Sequence, residues 1–214
     1  MSQTETENFK APNEAVENLA AAVEALKRGR VIVFPTETLY GLGADALNDS
    51  CVEKIFELKG RDRRNPIPVL VANQDMLNTL VAEVPTIAQK LMHQYWPGPL
   101  TLVLPGRKNL PKPLCNSAGG VGVRISSQPI ANSLVKGMGR PLTATSANPS
   151  GKEPARTLQQ ARSYFAGRID FFVDGGTLTS KSGSTVVEVT EDSIRIIREG
   201  DISAEELQRF LRNQ

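Results

Sequence analysis

A chain of 214 residues, 40% hydrophobic and 22% charged, is long enough for one substantial core and short for two independent ones. Its 25 Lys and Arg against 23 Asp and Glu give a formal charge of +2, too balanced to predict nucleic-acid binding from the total, so any cationic function has to come from local clustering. One histidine, His93, and two cysteines without metal-ligand spacing, Cys51 and Cys115, exclude a zinc site or a triad built from His and Cys.

Residues 1–12 read as a loosely held tail and 13–214 as one domain. The start, MSQTETENFK, is polar rather than a basic leader, and no run of 18 apolar residues occurs, so a soluble cytoplasmic protein without a membrane partner is expected. Asn13 can cap a helix that carries Val16, Leu19, Val23 and Leu26 at spacings of three and four and ends at Gly29. Val31 to Phe34 is a buried strand that Pro35 terminates. It feeds the polar loop Thr36, Glu37, Thr38, Leu39, Tyr40, in which Gly41 and Gly43 supply backbone freedom for close approach. Polar side chains at the carboxyl end of an inner strand match the usual place for ligands in open α/β sheets, although threonines bonding their own backbone would look the same.

Asp49 or Ser50 can cap a second helix through Val52, Ile55, Phe56 and Leu58, ending at Gly60. A strand at 67–72, helices at 74–80 and 85–95, and a strand at 100–104 follow. Residues 105–120 lack periodicity and read as a long loop. Then come a strand at 121–125, a helix at 129–138, a strand at 142–145 and a helix at 157–165. Strands at 171–173, 185–189 and 194–197 close the pattern, the last two as a hairpin across 190–192, and Ser203 with Glu206 forms a capping box for a final helix. Strands alternating with helices argue for a layered α/β domain with a mixed sheet.

Three stretches can carry chemistry. Lys59-Gly60-Arg61-Asp62-Arg63-Arg64-Asn65-Pro66 places four cations between a helix end and a strand, either a solvated terminus of exposed cations or a cradle for a phosphate chain. Thr143 to Gly151 passes from a strand end into small polar residues, and like 35–43 it follows a short apolar strand, so the two loops can meet on one face. Arg124, inside Val121-Gly122-Val123-Arg124-Ile125, is either a paired structural ion or a carboxylate clamp. In Ser193 to Arg198, strict alternation puts Ile194, Ile196 and Arg198 on one face and Arg195 and Ile197 on the other. No Walker A or G-x-G-x-x-G pattern occurs.

Taken in order, PTETLYGLG (35–43), KGR followed by NP (59–66), WPGPLT (96–101), VGVR (121–124), TSAN followed by SG (145–151) and IIREGDIS (196–203) resemble the YrdC-like threonylcarbamoyl-AMP synthases. The match is to the short bacterial form, without the extra C-terminal domain of the longer one. The resemblance implies an α/β fold (α+β in strict terms) with a twisted mixed sheet and helices packed on it. It also implies a nucleotidyltransferase that joins L-threonine, bicarbonate and ATP into threonylcarbamoyl-adenylate and pyrophosphate. That adenylate serves the threonylcarbamoylation of adenosine 37 in tRNAs through downstream transfer proteins, with Mg²⁺ arriving on ATP and no protein-bound metal. Carried over, Thr38, Arg124 and the backbone at Ala144 would hold threonine. Lys59, Arg61, Asn65, Ser146, Asn148 and Arg198 would hold ATP, with Lys59 and Arg61 as the catalytic cations. Asp62 and Glu199 stand where the family commonly has proline, and Leu70 where some members offer a histidine. The alternative is a paralogous RNA-binding protein with weak or no synthase activity, using Lys59 to Arg64 with Arg107, Lys108 and Lys112 against the RNA backbone.

Overall fold

The computed structural model describes residues 12–169, 171–180, 182–191 and 193–213. The expected tail therefore lies outside the described residues except for Pro12, which opens helix α1 (Pro12–Lys27) one residue ahead of the expected cap. Strands β1 (Ile32–Pro35) and β2 (Tyr40–Gly43) form an antiparallel hairpin around the turn 36–39. The second of these strands was not expected. Its glycines read as freedom for an incoming ligand, but a Cβ at Gly43 would lie 2.8 Å from the Phe34 ring and one at Gly41 3.3 Å from it. They are small because Phe34 packs across them.

Helix α2 (Asp49–Lys59) is capped by Asn48, whose side chain accepts from the N–H groups of Ser50 and Cys51, and not by Asp49 or Ser50. It ends at Gly60, where φ is 60°, a left-handed turn that glycine adopts without strain. Strand β3 is only Val69–Leu70. Helices α3 (Gln74–Leu80) and α4 (Thr86–Tyr95) lead to β4 (Leu100–Pro105). The stretch read as loop contains a 3-10 turn at Lys112–Leu114 before β5 (Gly120–Arg124). Helix α5 (Pro129–Met138) precedes the expected strand at 142–145, which is two strands, β6 (Leu142–Thr143) and β7 (Thr145–Ser146). Helix α6 (Leu158–Phe165), β8 (Phe171–Phe172), β9 (Thr185–Val189), β10 (Ile194–Arg198) and α7 (Ala204–Arg212) complete the order. Ser203 caps α7, its hydroxyl accepting from Glu206 N–H.

The strands divide into two mixed sheets, one ordered β7-β2-β1-β8 and the other β10-β9-β4-β5-β3-β6. Ala144, between β6 and β7, is the point where the chain crosses from one to the other. Its N–H donates to Pro68 O, while Thr143 N–H donates to Ala44 O, so the crossing is tied to both sheets. In the larger sheet, Leu100, Leu102, Leu104, Val121, Val123, Val187 and Val189 share the core with α2, α3 and α4. A second cluster, Ala22, Leu26, Ile32, Phe34, Leu134 and Val135 among them, joins α1 and α5 to the smaller sheet. Burying these side chains stabilises the fold by roughly 1.5–3 kcal/mol each. Among the described residues no helix is long and apolar enough to cross a membrane.

Candidate active site

Alternation along the larger sheet decides what its second face carries. With Leu102 and Val123 inward, Thr101, Val103, Gly122 and Arg124 point the other way. They line a cavity of about 660 Å³. The smaller sheet closes it with the β1–β2 turn and β7, and the loops 61–68, 116–117 and 182–184 complete the wall. Thr38, Arg61, Asn65, Arg124, Ala144, Ser146 and Arg198, all expected site residues, line this one cavity. The two loops expected to meet do so as paired strands, Gly41 opposite Ser146 and Leu42 opposite Thr145.

Lys59 and Asn148 are not among the lining residues. Lys59 is 3% exposed, against the expectation of an exposed cation at a helix end. Its Nζ donates to Ser146 O (2.5 Å), Asn148 O (2.7 Å) and Asn148 Oδ1 (3.3 Å), while its own carbonyl accepts from Ser150 N–H (2.8 Å). Asn148 spends its amide on Pro149 O and Lys152 O. The pair therefore braces the 146–152 loop from behind and fixes Ser146 on the cavity wall. Burial, with Arg61 close by, pulls the Lys59 ammonium down to about 7. Asp45, Glu37 and Asp62 are all committed to other cations, so the lysine's compensation comes from oxygens and not from a carboxylate.

Arg61 folds back over its own loop, Nε donating to Asn65 O (2.8 Å) and Nη2 to Pro66 O (3.1 Å). Arg198 donates through Nη2 to Ser184 O (2.8 Å) and Ser184 Oγ (3.3 Å). Neither has a carboxylate partner among the described residues. Arg198 remains exposed as a residue, but its charged end is partly desolvated against β9. Desolvation lowers both guanidiniums, and the neighbouring cation adds to it, Arg198 acting on Arg61 and Arg124 on Arg198. Arg61 and Arg198 thus present positive charge to the cavity without a carboxylate partner among the described residues, an arrangement that favours an anion. Arg124 differs, because it pairs with Glu37, whose other carboxylate oxygen accepts from Ser126 Oγ.

The polar turn shows both expected behaviours. Thr36 Oγ1 donates to Leu39 O (2.7 Å), accepts from the N–H of Thr38 and of Leu39, and lies 3.0 Å from Thr38 Oγ1, so Thr36 holds the turn while both threonines line the cavity. Tyr40 donates to Gly176 O (2.8 Å) and accepts from Gly175 N–H (3.0 Å), tying the strap 174–184 to the hairpin. Desolvation in that position raises its hydroxyl to about 12.

Arg198 reaches the cavity by a route that strict alternation does not give. Arg195 faces Glu188 and Ile196 faces Val187, but the register then shifts so that Arg198 faces Val186. Ile197 is the extra residue, 49% exposed. The shift moves Arg198 off the core face of Ile194 and Ile196 and onto the cavity face of Arg195, correcting the expected grouping. Lining residues that the sequence did not single out include Thr101, Asn116 and Ser184, while Arg195, expected on the face opposite Arg198, shares the cavity with it. Thr101, a lone hydroxyl within LTLVL, was the legible signal; it donates to Ser184 Oγ (3.0 Å).

The cationic run does not form one surface. Lys59 is buried, Arg61 faces the cavity, Arg63 pairs with Glu53 and Arg64 with Asp62, while Arg107 Nε donates to Asn78 O. Asp62 thus serves as the partner of Arg64. Leu70 is 1% exposed within β3 and does not line the cavity, so no side-chain contact with a ligand arises there. Cys51 and Cys115 are free thiols, and no three His, Cys, Asp or Glu side chains gather as a metal site among the described residues.

A family model named Sua5_yciO_yrdC, described as Telomere recombination, matches residues 24–200. The chain is 38% identical over 186 residues to the threonylcarbamoyl-AMP synthase of Pyrococcus abyssi, covering 87% of this chain and 55% of that one, about half its length. It is 34% identical over 172 residues to the threonylcarbamoyl-AMP synthase of Marinobacter nauticus, covering 80% of this chain and 90% of the relative. The solved structure of P. abyssi Sua5 complexed with L-threonine superposes with a TM-score of 0.86 at 37% identity, covering 90% of this chain and 57% of that one.

Proposed function

The chain belongs to the Sua5/YciO/YrdC family, and on that premise we propose that it joins L-threonine, bicarbonate and ATP into threonylcarbamoyl-adenylate and pyrophosphate. The observation that carries this reading is the charge layout of the cavity. Arg61 and Arg198 face it without a carboxylate, which suits a triphosphate, while the Arg124–Glu37 pair beside Thr38 is neutral as a unit, which suits an amino acid.

In this scheme Arg124, Thr38 and the Ala144 backbone hold threonine, and Arg61, Asn65, Ser146 and Arg198 hold ATP. Lys59 and Asn148 act on the nucleotide through the loop that carries Ser146. The threonine amine and bicarbonate condense to a carbamate with loss of water. A carbamate oxygen then attacks the α-phosphorus, the new P–O bond forms, and the bond to the β-phosphate breaks to release pyrophosphate. No protein nucleophile is needed, since positioning and charge neutralisation suffice. Mg²⁺ enters bound to the phosphates, as part of the nucleotide substrate. The product passes in the cytoplasm to proteins that transfer threonylcarbamoyl to adenosine 37 of tRNA.

The test is pyrophosphate release by the purified protein with ATP, Mg²⁺, bicarbonate and each amino acid in turn. Threonine is expected to be fastest and serine slower, because packing one methyl group discriminates by only about 1–3 kcal/mol. Equal rates with alanine or valine would contradict the assignment of the pocket.

A further inference from the structure

Arg124 lines the cavity with a side chain only 6% exposed, and a guanidinium that far from solvent requires a partner. The partner is Glu37, 13% exposed and not itself part of the lining. One Glu37 oxygen accepts from Arg124 Nη1 and the other from Ser126 Oγ. Ser126 is in turn fixed at the start of α5, its Oγ accepting from Gln128 N–H (3.2 Å) and its carbonyl from Asn132 Nδ2 (2.7 Å). A continuous chain of bonds thus runs from a helix through Ser126 and Glu37 to the cavity arginine. Glu37 also sits in the turn between Thr36 and Thr38, so one carboxylate sets both groups that face the amino-acid half. With both oxygens taken by fixed donors, it holds one edge of the Arg124 fork and leaves the rest for a ligand.

We propose that Glu37 is a positioning residue that fixes Arg124 and the Thr38 turn to receive the carboxylate of the amino-acid substrate. This rests on the synthase reading above. Glu37 acts through Arg124, in the way outer hydrogen-bond partners orient the groups that touch a ligand.

The experiment is steady-state pyrophosphate release with threonine varied at saturating ATP, and ATP varied at saturating threonine, for wild type, Glu37→Gln and Ser126→Ala. Glu37→Gln keeps the shape and loses the charge, so the threonine KM is expected to rise about tenfold, with kcat and the ATP KM within about twofold. Ser126→Ala is expected to move the threonine KM the same way by a smaller factor. It removes only a hydroxyl, so it decides the question if Glu37→Gln does not fold. An unchanged threonine KM in the folded variants overturns the inference while leaving the reaction intact. Equal losses in both KM values and in kcat also overturn it, because they mark a general scaffold role. A wild-type protein without threonine-dependent release removes the synthase reading and this inference with it.

Discussion

Lys59 and Arg61 lie two residues apart and hold different positions around the cavity. Lys59 is sealed behind the cavity with three oxygens on its ammonium, whereas Arg61 faces the cavity with only two loop carbonyls engaged. Lys59→Met is expected to lower both turnover and stability, the latter by about 1–3 kcal/mol, because buried acceptors lose their donor. Arg61→Ala is expected to lower turnover by on the order of 10²-fold while stability stays near wild type. The lysine also carries a pH signature. With its folded value pulled to about 7 from 10.5, both states hold the proton below pH 7, and the folded state bears the whole cost of a buried ammonium there. Between 7 and 10.5 the unfolded chain binds more protons, so this group's contribution to stability improves as pH rises, by at most about 1.4 kcal/mol per unit. Urea unfolding from pH 7 to 10 should therefore show wild type gaining on Lys59→Met, and a constant difference would contradict the account. The KGR stretch itself does not separate the two roles. What separates them is the loop 146–148 arriving over Lys59, a contact made 87 residues away in the chain.

At the scale of elements, one extra residue in β10 puts Arg198 on the cavity face beside Arg195. Arg195 and Arg198 both face the cavity, but Glu188 neutralises Arg195 at 2.6 Å, whereas Arg198 donates to Ser184 oxygens and has no carboxylate partner among the described residues. Arg198→Ala is therefore expected to weaken ATP binding strongly in calorimetric titration, leaving threonine binding without ATP near wild type. Arg198→Lys should recover part, since a point charge cannot reproduce the fork. Arg195→Ala should cost little, and a larger loss there than at Arg198 would contradict the assignment. The helices were legible to within a residue or two, because their apolar spacing and their glycine stops are local signals. Of the short strands, β8 was legible, but β2, β6 and β7 were not. β2 hides behind YGLG, where the glycines answer to a ring on the neighbouring strand, and β6 and β7 read as one run because the change of sheet at Ala144 leaves no local mark. The register shift at Ile197 is likewise invisible in an unbroken IRIIR.

For the whole molecule, the two sheets enclose a cavity to which distant stretches each lend one or two side chains, from Thr38 to Arg198. The order of short motifs was enough to gather most of these residues, because each motif marks a strand end or turn that the fold carries to the same place. Which of them touch the cavity and which brace it depended on packing, and so did Glu37, whose importance comes from the buried guanidinium it meets. The central claim is that this cavity makes a mixed anhydride from three small molecules. The most direct measurement is incubation of the purified protein with ATP, Mg²⁺, L-threonine and ¹³C-bicarbonate, followed by mass spectrometry of the adenylate and a parallel count of pyrophosphate. One labelled carbon in a threonine-containing adenylate for each pyrophosphate released is the predicted result. Pyrophosphate released without the label, or an adenylate of threonine that lacks the bicarbonate carbon, would contradict it.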